Sequence, residues 1–152
     1  MTGSLQESEQ AAANRRLAGE IAEGTLMERL GIEFVAAGPE RFVARMPVAG
    51  NTQPYGVLHG GATAALCETL ASMGTAIVVG PEARVVGIEL NVNHLRPVRE
   101  GHVTATGTPL HVGRSTAVWD MRVHDDDGRL VAVSRLTLSV RPIEPGADND
   151  GR

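Results

Sequence analysis

The sequence predicts an α+β fold in which a curved antiparallel sheet wraps around one long central helix. The stretch from Val57 to Val79, VLHGGATAALCETLASMGTAIVV, has a single charged side chain and is long enough for a helix of roughly 30 Å. Segments that alternate apolar and polar residues, as strands do, precede and follow it. Because an apolar helix must be covered, the simplest arrangement curves these strands around it.

The segments before this helix predict a short helix and a hairpin. In AEGTLMERLG, Thr25 can cap a helix, Glu28 follows three residues later, and Gly31 can end it. The next stretch, IEFVAAGPERFVARMPV, has the pattern of a hairpin that turns at Gly38-Pro39. The apolar face of each strand is expected to hold Ile32, Phe34 and Ala36, then Phe42, Ala44 and Met46. The loop AGNTQPYG leads into the central helix.

Four strands are predicted after Gly80-Pro81, which ends the central helix. In RVVGIELNVNHLRP and STAVWDMRVHDD the apolar residues alternate, whereas GHVTATGTPLHVG holds two glycines and a proline that predict a bend or bulge. The last strand is RLVAVSRLTLSVRP. Short connections predict that these four strands are antiparallel. The alternating apolar positions are Val86, Ile88, Leu90 and Val92, then Ala117, Trp119, Met121 and Val123. The central helix is expected to be buried on nearly every side.

Length and composition predict one domain over residues 25–142 of the 152, after a polar, partly helical arm at 1–24 and before a disordered tail at 143–152. A net charge of −4 and an aromatic content of 3% argue against a nucleic-acid partner. The polar start lacks a secretory signal, and the central run is too polar for a membrane span, so a cytoplasmic protein is expected. The single cysteine, Cys67, allows no internal disulfide.

Glu68 is the only charged residue of the central helix, and burying an unpaired carboxylate is costly. Burial should make it more basic, so it can serve as a nucleophile that forms an anhydride or as a general base on water. Gly60 and Gly61 begin the same helix, where N–H groups are unpaired and glycine lets a substrate approach the backbone. Such donors can stabilise an oxyanion.

The run YGVLHGGATAALCETLASMG resembles the central helix of the hot-dog acyl-CoA thioesterases. It is most similar to the branch of the phenylacetate-pathway thioesterase and the Arthrobacter-type 4-hydroxybenzoyl-CoA thioesterase. The specific part is LHGG with an acid eight residues after its first glycine; NHLRPVREGHV and GRSTAVWDMRVHDDDGRLVAVSRLTLSVRP also resemble that branch. The likeness covers roughly residues 25–142. It implies hydrolysis of an acyl-CoA or aryl-CoA, with no cofactor beyond the CoA of the substrate.

The resemblance also implies roles for individual residues. Glu68 takes the position of the catalytic carboxylate, and the N–H of Gly60 that of the group polarising the thioester carbonyl. His59 shapes that end of the helix, Gln53 supplies a side-chain amide near the thioester, and Ser72 takes the position of a small hydroxyl residue that orients the attacking water.

Further residues are expected at the substrate. Gly87 departs from relatives that place a serine there, so serine-assisted positioning of water from that strand is not expected. Arg96, near Arg99, is a candidate for CoA phosphate contacts because arginine binds phosphate through two hydrogen bonds. The stretch GRST offers Arg114, Ser115 and Thr116 for the same purpose. The alternative is that these arginines are ordinary surface residues.

The spacing of Gly60 and Glu68 predicts a shared site. Eight residues span about 12 Å along a helix, whereas a reacting carbon must lie within ~3–3.5 Å of both groups. Gly60 of one chain is therefore expected to face Glu68 of another, in a homodimer with two sites. The resemblance implies that two dimers pair into a tetramer.

Other functions and other site chemistries remain open at this point. A non-catalytic hot-dog module could bind acyl-CoA as a sensor, and a hydratase or dehydratase could use His59 with Glu68. A buried glutamate is often held structurally by hydrogen bonds. Cys67 is expected to be a core residue rather than a nucleophile. The remaining histidines have no metal-ligand spacing, so no metal site is predicted. They are His94, His102, His111 and His124.

Overall fold

The computed structural model of the protein describes residues 20–38 and 41–143, and it has the predicted architecture of one long helix against an antiparallel sheet. The predicted arm up to residue 19, the tail from residue 144 and the residue after Gly38 in the predicted hairpin turn lie outside the described residues. In chain order the elements are α1 Leu26–Arg29, β1 Glu33–Ala37, β2 Phe42–Pro47, α2 Gly60–Val79, β3 Ala83–His94, β4 His102–Val112, β5 Thr116–Asp125 and β6 Leu130–Pro142.

The sheet has the order β1-β2-β4-β5-β6-β3, with antiparallel neighbours throughout. The prediction that short hairpins join the last four strands is therefore wrong for β3, which pairs with β6 and not with β4. The segment after β3 instead crosses the end of the sheet, where the N–H of Leu95 donates to Val131 O over 2.9 Å. This crossing leaves β3 as an edge strand and places residues 95–98 near the start of α2.

The core lies between α2 and the concave face of the sheet. Leu66 and Leu70 of α2 are fully buried against Trp119 and Phe42 of the sheet. The Trp119 indole N–H donates to the Thr75 hydroxyl over 2.8 Å, and its ring meets the Phe42 ring edge-on at 5.5 Å. The indole nitrogen is the one polar atom of the Trp119 side chain, and this hydrogen bond replaces the contact with water that it loses on burial.

Bulges change which residues face the core. In β3 the register shifts between Gly87 and Glu89, so Val86 and Ile88 point outward with 56% and 64% exposure. The predicted apolar alternation of β3 is therefore wrong for these two residues and holds for Leu90 and Val92, which pack on the core. An extra residue in one strand moves every later side chain to the opposite face.

A bulge in β1 between Phe34 and Ala36 likewise buries Ala37 in place of the predicted Ala36. The predicted irregularity of β4 is confirmed as a bulge between Pro109 and His111. The alternation of β5 is confirmed, since all four of its predicted core residues are fully buried: Ala117, Trp119, Met121 and Val123.

The short helix α1 is confirmed, but its predicted cap is wrong. The Thr25 side chain accepts no capping hydrogen bond and instead donates to Ala22 O over 2.6 Å. The Glu28 carboxylate accepts the N–H of Gly24 at 2.6 Å, so the acid reaches back one residue further than a capping box requires. Gly31 follows the helix with a φ of +67°, the left-handed backbone that glycine favours.

The expectation that α2 is buried on nearly every side is wrong for the single chain. One face packs on the sheet, whereas Gly61, Glu68 and Val78 are exposed and the residues around them are half-buried. Six strands cover only one side of the helix. Although α2 is long and apolar enough to cross a membrane, it is here the core helix of the fold.

Candidate active site

The first turn of α2 leaves a single main-chain donor open. His59 caps the helix: its Nδ1 accepts the N–H of Gly61 at 2.8 Å, and its carbonyl oxygen accepts those of Ala62 and Thr63. The N–H of Gly60 has no acceptor among the described residues. The expected pair of free glycine donors is thus reduced to one, because the His59 imidazole occupies the donor of Gly61. The remaining donor lies at the positive end of the helix dipole.

Gly60 opens into a cleft of about 370 Å³. Gln53 lines the cleft from a tight loop in which its N–H donates to Val57 O over 2.9 Å. Arg96 and Val98 line the cleft from the segment that crosses after β3, and a hydrogen bond of 2.7 Å from Leu58 N–H to Val98 O joins this segment to the loop. The structure therefore brings three of the predicted site residues, Gln53, Gly60 and Arg96, to one cleft.

His94, which sequence reasoning set aside as one of several scattered histidines, also lines this cleft. A Cβ atom at Gly60 would lie 2.8 Å from its Nε2 atom, closer than a real Cβ tolerates. A side chain at the start of α2 would therefore displace the exposed imidazole of His94 as well as cover the N–H. The sequence signal that could have found His94 is its position at the end of β3, two residues before the predicted phosphate-binding Arg96.

Glu68 lies on the exposed face of α2, so the expected burial of its carboxylate is wrong for the isolated chain. Its carboxylate forms no hydrogen bond or ion pair with any described residue, which leaves its oxygens available to a ligand. A Cβ atom at Gly87 of β3 would lie 2.8 Å from Glu68 Oε1. The glycine that departs from the family pattern thereby leaves room for the carboxylate. Ser72, one turn later, lines the same cavity of about 360 Å³ as Glu68.

The GRST stretch lies far from the Gly60 cleft in the same chain. Arg114 lines a depression with Val78 and Val79, at the end of α2 opposite to Gly60. The carbonyl oxygen of Ser115 accepts the N–H of Val140 at 2.9 Å, and Thr116 begins β5 beside it. Since α2 has 20 residues, it separates the two regions by roughly 30 Å.

The described residues also bear on two other kinds of site chemistry, a cysteine nucleophile and a metal site. Burial raises the pKa of the Cys67 thiol to about 11, and the Ser134 hydroxyl offsets this only in part. Cys67 is therefore a neutral core residue at physiological pH, because the thiolate is the nucleophilic form. Within residues 20–38 and 41–143, no three His, Cys, Asp or Glu side chains gather in a way that could hold a metal ion.

An antiparallel sheet curved around one central helix is the hot-dog architecture, and an open helix N-terminus beside a cleft is the expected place for a substrate carbonyl. The sequence model of the thioesterase superfamily matches residues 55–132, from the loop before α2 into β6. The chain belongs to this superfamily and is a thioester hydrolase. The predicted fold and enzyme class are confirmed.

Known proteins agree with this assignment. The chain is 40% identical over 121 residues to 1,4-dihydroxy-2-naphthoyl-CoA hydrolase of Escherichia coli K12, covering 79% of this chain and 89% of that one. The crystal structure of thioesterase HI1161 from Haemophilus influenzae superposes with a TM-score of 0.80 at 41% identity, covering 85% of this chain and 91% of that one.

The Staphylococcus aureus thioesterase SAV0944, 36% identical, has been solved both as a glutamate-to-alanine and as a glutamine-to-alanine variant. The glutamate variant superposes with a TM-score of 0.76, covering 78% of this chain and 100% of that one. The two altered positions in that protein have the same separation along the chain as Gln53 and Glu68.

Proposed function

We propose that this protein hydrolyses an acyl-CoA or aryl-CoA thioester to the free acid and CoA. The observation that carries the proposal is the N–H of Gly60, the one first-turn donor of α2 without an acceptor, which opens into a cleft. The relative that acts on a naphthoyl-CoA supports a CoA thioester as substrate. The glutamine and glutamate altered in the Staphylococcus aureus thioesterase support Gln53 and Glu68 as the functional pair.

In the proposed reaction the thioester oxygen accepts a hydrogen bond from Gly60 N–H, where negative charge develops. As a general base, Glu68 takes a proton from water, the hydroxide attacks the carbonyl carbon, the C–S bond breaks, and the proton passes to the CoA thiolate. As a nucleophile, the Glu68 carboxylate forms an anhydride while the CoA thiolate leaves, and water then cleaves the anhydride. Gln53 donates a second hydrogen bond, and Ser72 orients the water. His59 holds the helix start.

The reaction needs no cofactor beyond the CoA of the substrate, and we place it in the cytoplasm. Arg96, in the cleft beside Gly60, is our candidate for the nearer CoA phosphates. Arg114, Ser115 and Thr116 lie at the opposite end of α2. They can contribute only from a second chain whose α2 runs antiparallel to that of the first. The C-terminal end of the second chain's α2 then extends past Gly60 of the first chain.

We further propose a homodimer with two shared sites, two of which pair into a tetramer. The structure supports this because Gly60 and Glu68 line separate cavities of one chain. β3 is an edge strand with two exposed apolar residues, Val86 and Ile88, and Glu68 lies against Gly87 of the same strand. Pairing of two β3 edges around a two-fold axis would complete the sheet and lay the two α2 helices antiparallel.

The test of the function is a panel of aryl, short, medium and long acyl-CoA thioesters, with hydrolysis measured as released thiol. We expect release from at least one class. A non-catalytic module would bind these compounds without releasing thiol, and a hydratase would change an enoyl-CoA without breaking its thioester bond. Either result would reject hydrolysis.

Complementation tests the shared site. We expect that mixing inactive Glu68→Gln and Gly60→Val proteins, under conditions that exchange subunits, restores about half of the wild-type activity per heterodimer. One site of the heterodimer receives both defects and the other receives neither. Subunit exchange is followed by mass spectrometry. Heterodimers that form and stay inactive would show that each chain builds its own site.

A further inference from the structure

Asn51 anchors the loop between β2 and α2. The residue is buried, with 8% of its surface exposed, and its side-chain Nδ2 atom donates to Leu30 O over 2.8 Å and to Pro47 O over 2.9 Å. Leu30 is the C-cap of α1, and Pro47 is the last residue of β2. The amide of Asn51 therefore supplies a donor to two carbonyl oxygens that lie at the ends of two different elements.

The main chain of the same residue holds the start of α2. The Asn51 carbonyl oxygen accepts the N–H of His59 at 2.8 Å, and the His59 imidazole accepts the N–H of Gly61, also at 2.8 Å. These two contacts hold the residues on both sides of Gly60, so they set the direction of its open N–H. Asn51 thus connects the ends of α1 and β2 to the proposed oxyanion donor.

Gln53, the second proposed donor, lies two residues after Asn51 in the same loop. The Gln53 N–H donates to Val57 O over 2.9 Å, and the two sides of the loop pair through an antiparallel bridge. The loop is therefore a closed unit that begins at Asn51 and returns to the helix start. A shift of Asn51 would move both donors, Gln53 with the loop and Gly60 with the first turn of α2.

We propose that Asn51 is a positioning residue of the thioesterase reaction, whose buried amide holds the Gln53 and Gly60 donors in the arrangement that stabilises the oxyanion. The proposal rests on the thioesterase function proposed above. Asn51 is not among the residues that line the cleft, so it acts through the loop and the helix start. Because oxyanion donors act on charge that develops in the transition state, their displacement lowers kcat more than it raises KM.

Asn51→Asp tests this role, because aspartate has nearly the same shape as asparagine. Its ionised carboxylate cannot donate to the two carbonyl oxygens and is repelled by them. We expect kcat to fall by at least ~10-fold with a smaller change in KM, since a misplacement of about 1 Å can cost about 10²-fold in rate. Asn51→Ala removes the same donors without adding a charge and should show the same separation of kcat from KM.

Thr75→Val is the matched control. Thr75 is also buried, and its hydroxyl accepts the Trp119 indole N–H and donates to Ala71 O, both over 2.8 Å. It lies on α2 roughly 20 Å from Gly60. Because the control loses buried hydrogen bonds as the Asn51 variants do, its free energy of unfolding should also fall, whereas its kcat should equal that of the wild type. Urea unfolding followed by circular dichroism and thiol release at a temperature where the variants are folded are the two measurements.

The outcomes separate the positioning role from the function. Folded Asn51→Asp and Asn51→Ala proteins with the kcat of Thr75→Val would overturn the positioning role and leave the thioesterase function standing. Failure of both Asn51 variants to fold would also overturn it, because the residue would then serve the fold alone.

If the wild type hydrolyses no CoA thioester, the function fails, and amide hydrogen exchange measured by NMR still tests whether Asn51 holds the helix start. The N–H groups of His59 and Gly61 should then exchange at least ~10-fold faster in Asn51→Asp than in the wild type, and at the wild-type rate in Thr75→Val. Unchanged exchange in Asn51→Asp would overturn the positioning role.

Discussion

Glu68→Gln is expected to lower kcat for thioester hydrolysis by at least ~10²-fold, the usual range for a positioned acid–base group. The amide keeps the size of the side chain, so it still fits beside Gly87, but it can neither accept a proton from water nor attack the carbonyl. Because the carboxylate has no partner among the described residues, its replacement breaks no internal contact and the fold should be unaffected. Thiol release under saturating substrate is the measurement.

Glu33→Gln is the matched control for this change. Glu33 is also exposed, but it begins β1 at the opposite edge of the sheet, where no role in catalysis is proposed. The control should retain wild-type activity. Near-normal hydrolysis by a folded Glu68→Gln protein would remove Glu68 from the mechanism. A different group would then have to attack the carbonyl that the Gly60 N–H polarises.

Gly60→Val is expected to lower kcat/KM by about 10²–10³-fold, the cost of losing one oxyanion donor. The added side chain covers the only open N–H of the first helical turn, and its Cβ atom would lie 2.8 Å from His94 Nε2. The measurement is again thiol release, now over a range of substrate concentrations so that KM and kcat separate.

The double variant Gly60→Val with His94→Ala distinguishes the two effects of this change. Removing the imidazole relieves the clash and leaves the N–H covered. Activity should stay low in the double variant if the donor is what matters. Recovery to the level of His94→Ala alone would show that displacement of His94 caused the loss and that the carbonyl is bound elsewhere.

The sequence predicted the elements of this fold well because they are encoded locally. The apolar run of α2, its end at Gly80 and the alternation of β5 each follow from nearby residues. The strand order was missed where it depends on distant pairing: the short segment from His94 to His102 has the length of a hairpin but crosses to the far side of β5 and β6. The bulges in β1 and β3 were missed because an inserted residue changes which face of the sheet the following side chains point to. Such a residue leaves no distinctive composition in the sequence around it.

The sequence singled out Gly60 by its place at the start of α2, whereas the cleft around it depends on segments that are distant along the chain. Gln53, Gly60 and Arg96 meet in one cleft because the loop before the helix and the crossing after β3 converge at its first turn. The exposure of Glu68 could not be predicted, since an apolar helix gives no sign of which of its faces the sheet leaves uncovered. His94 was missed because its approach to Gly60 depends on the strand order.

Trp119 gives the chain an internal spectroscopic reporter. It is the only tryptophan in the protein, and it is fully buried where α2 meets the sheet, with its indole N–H held by Thr75. Its fluorescence should therefore respond to loosening of the helix from the sheet and stay constant when a ligand enters either cavity, because Trp119 lines neither of them. Emission and thiol release can thus be recorded on the same sample. An inactive variant with a native emission spectrum has lost chemistry, and one with a shifted spectrum has lost its packing.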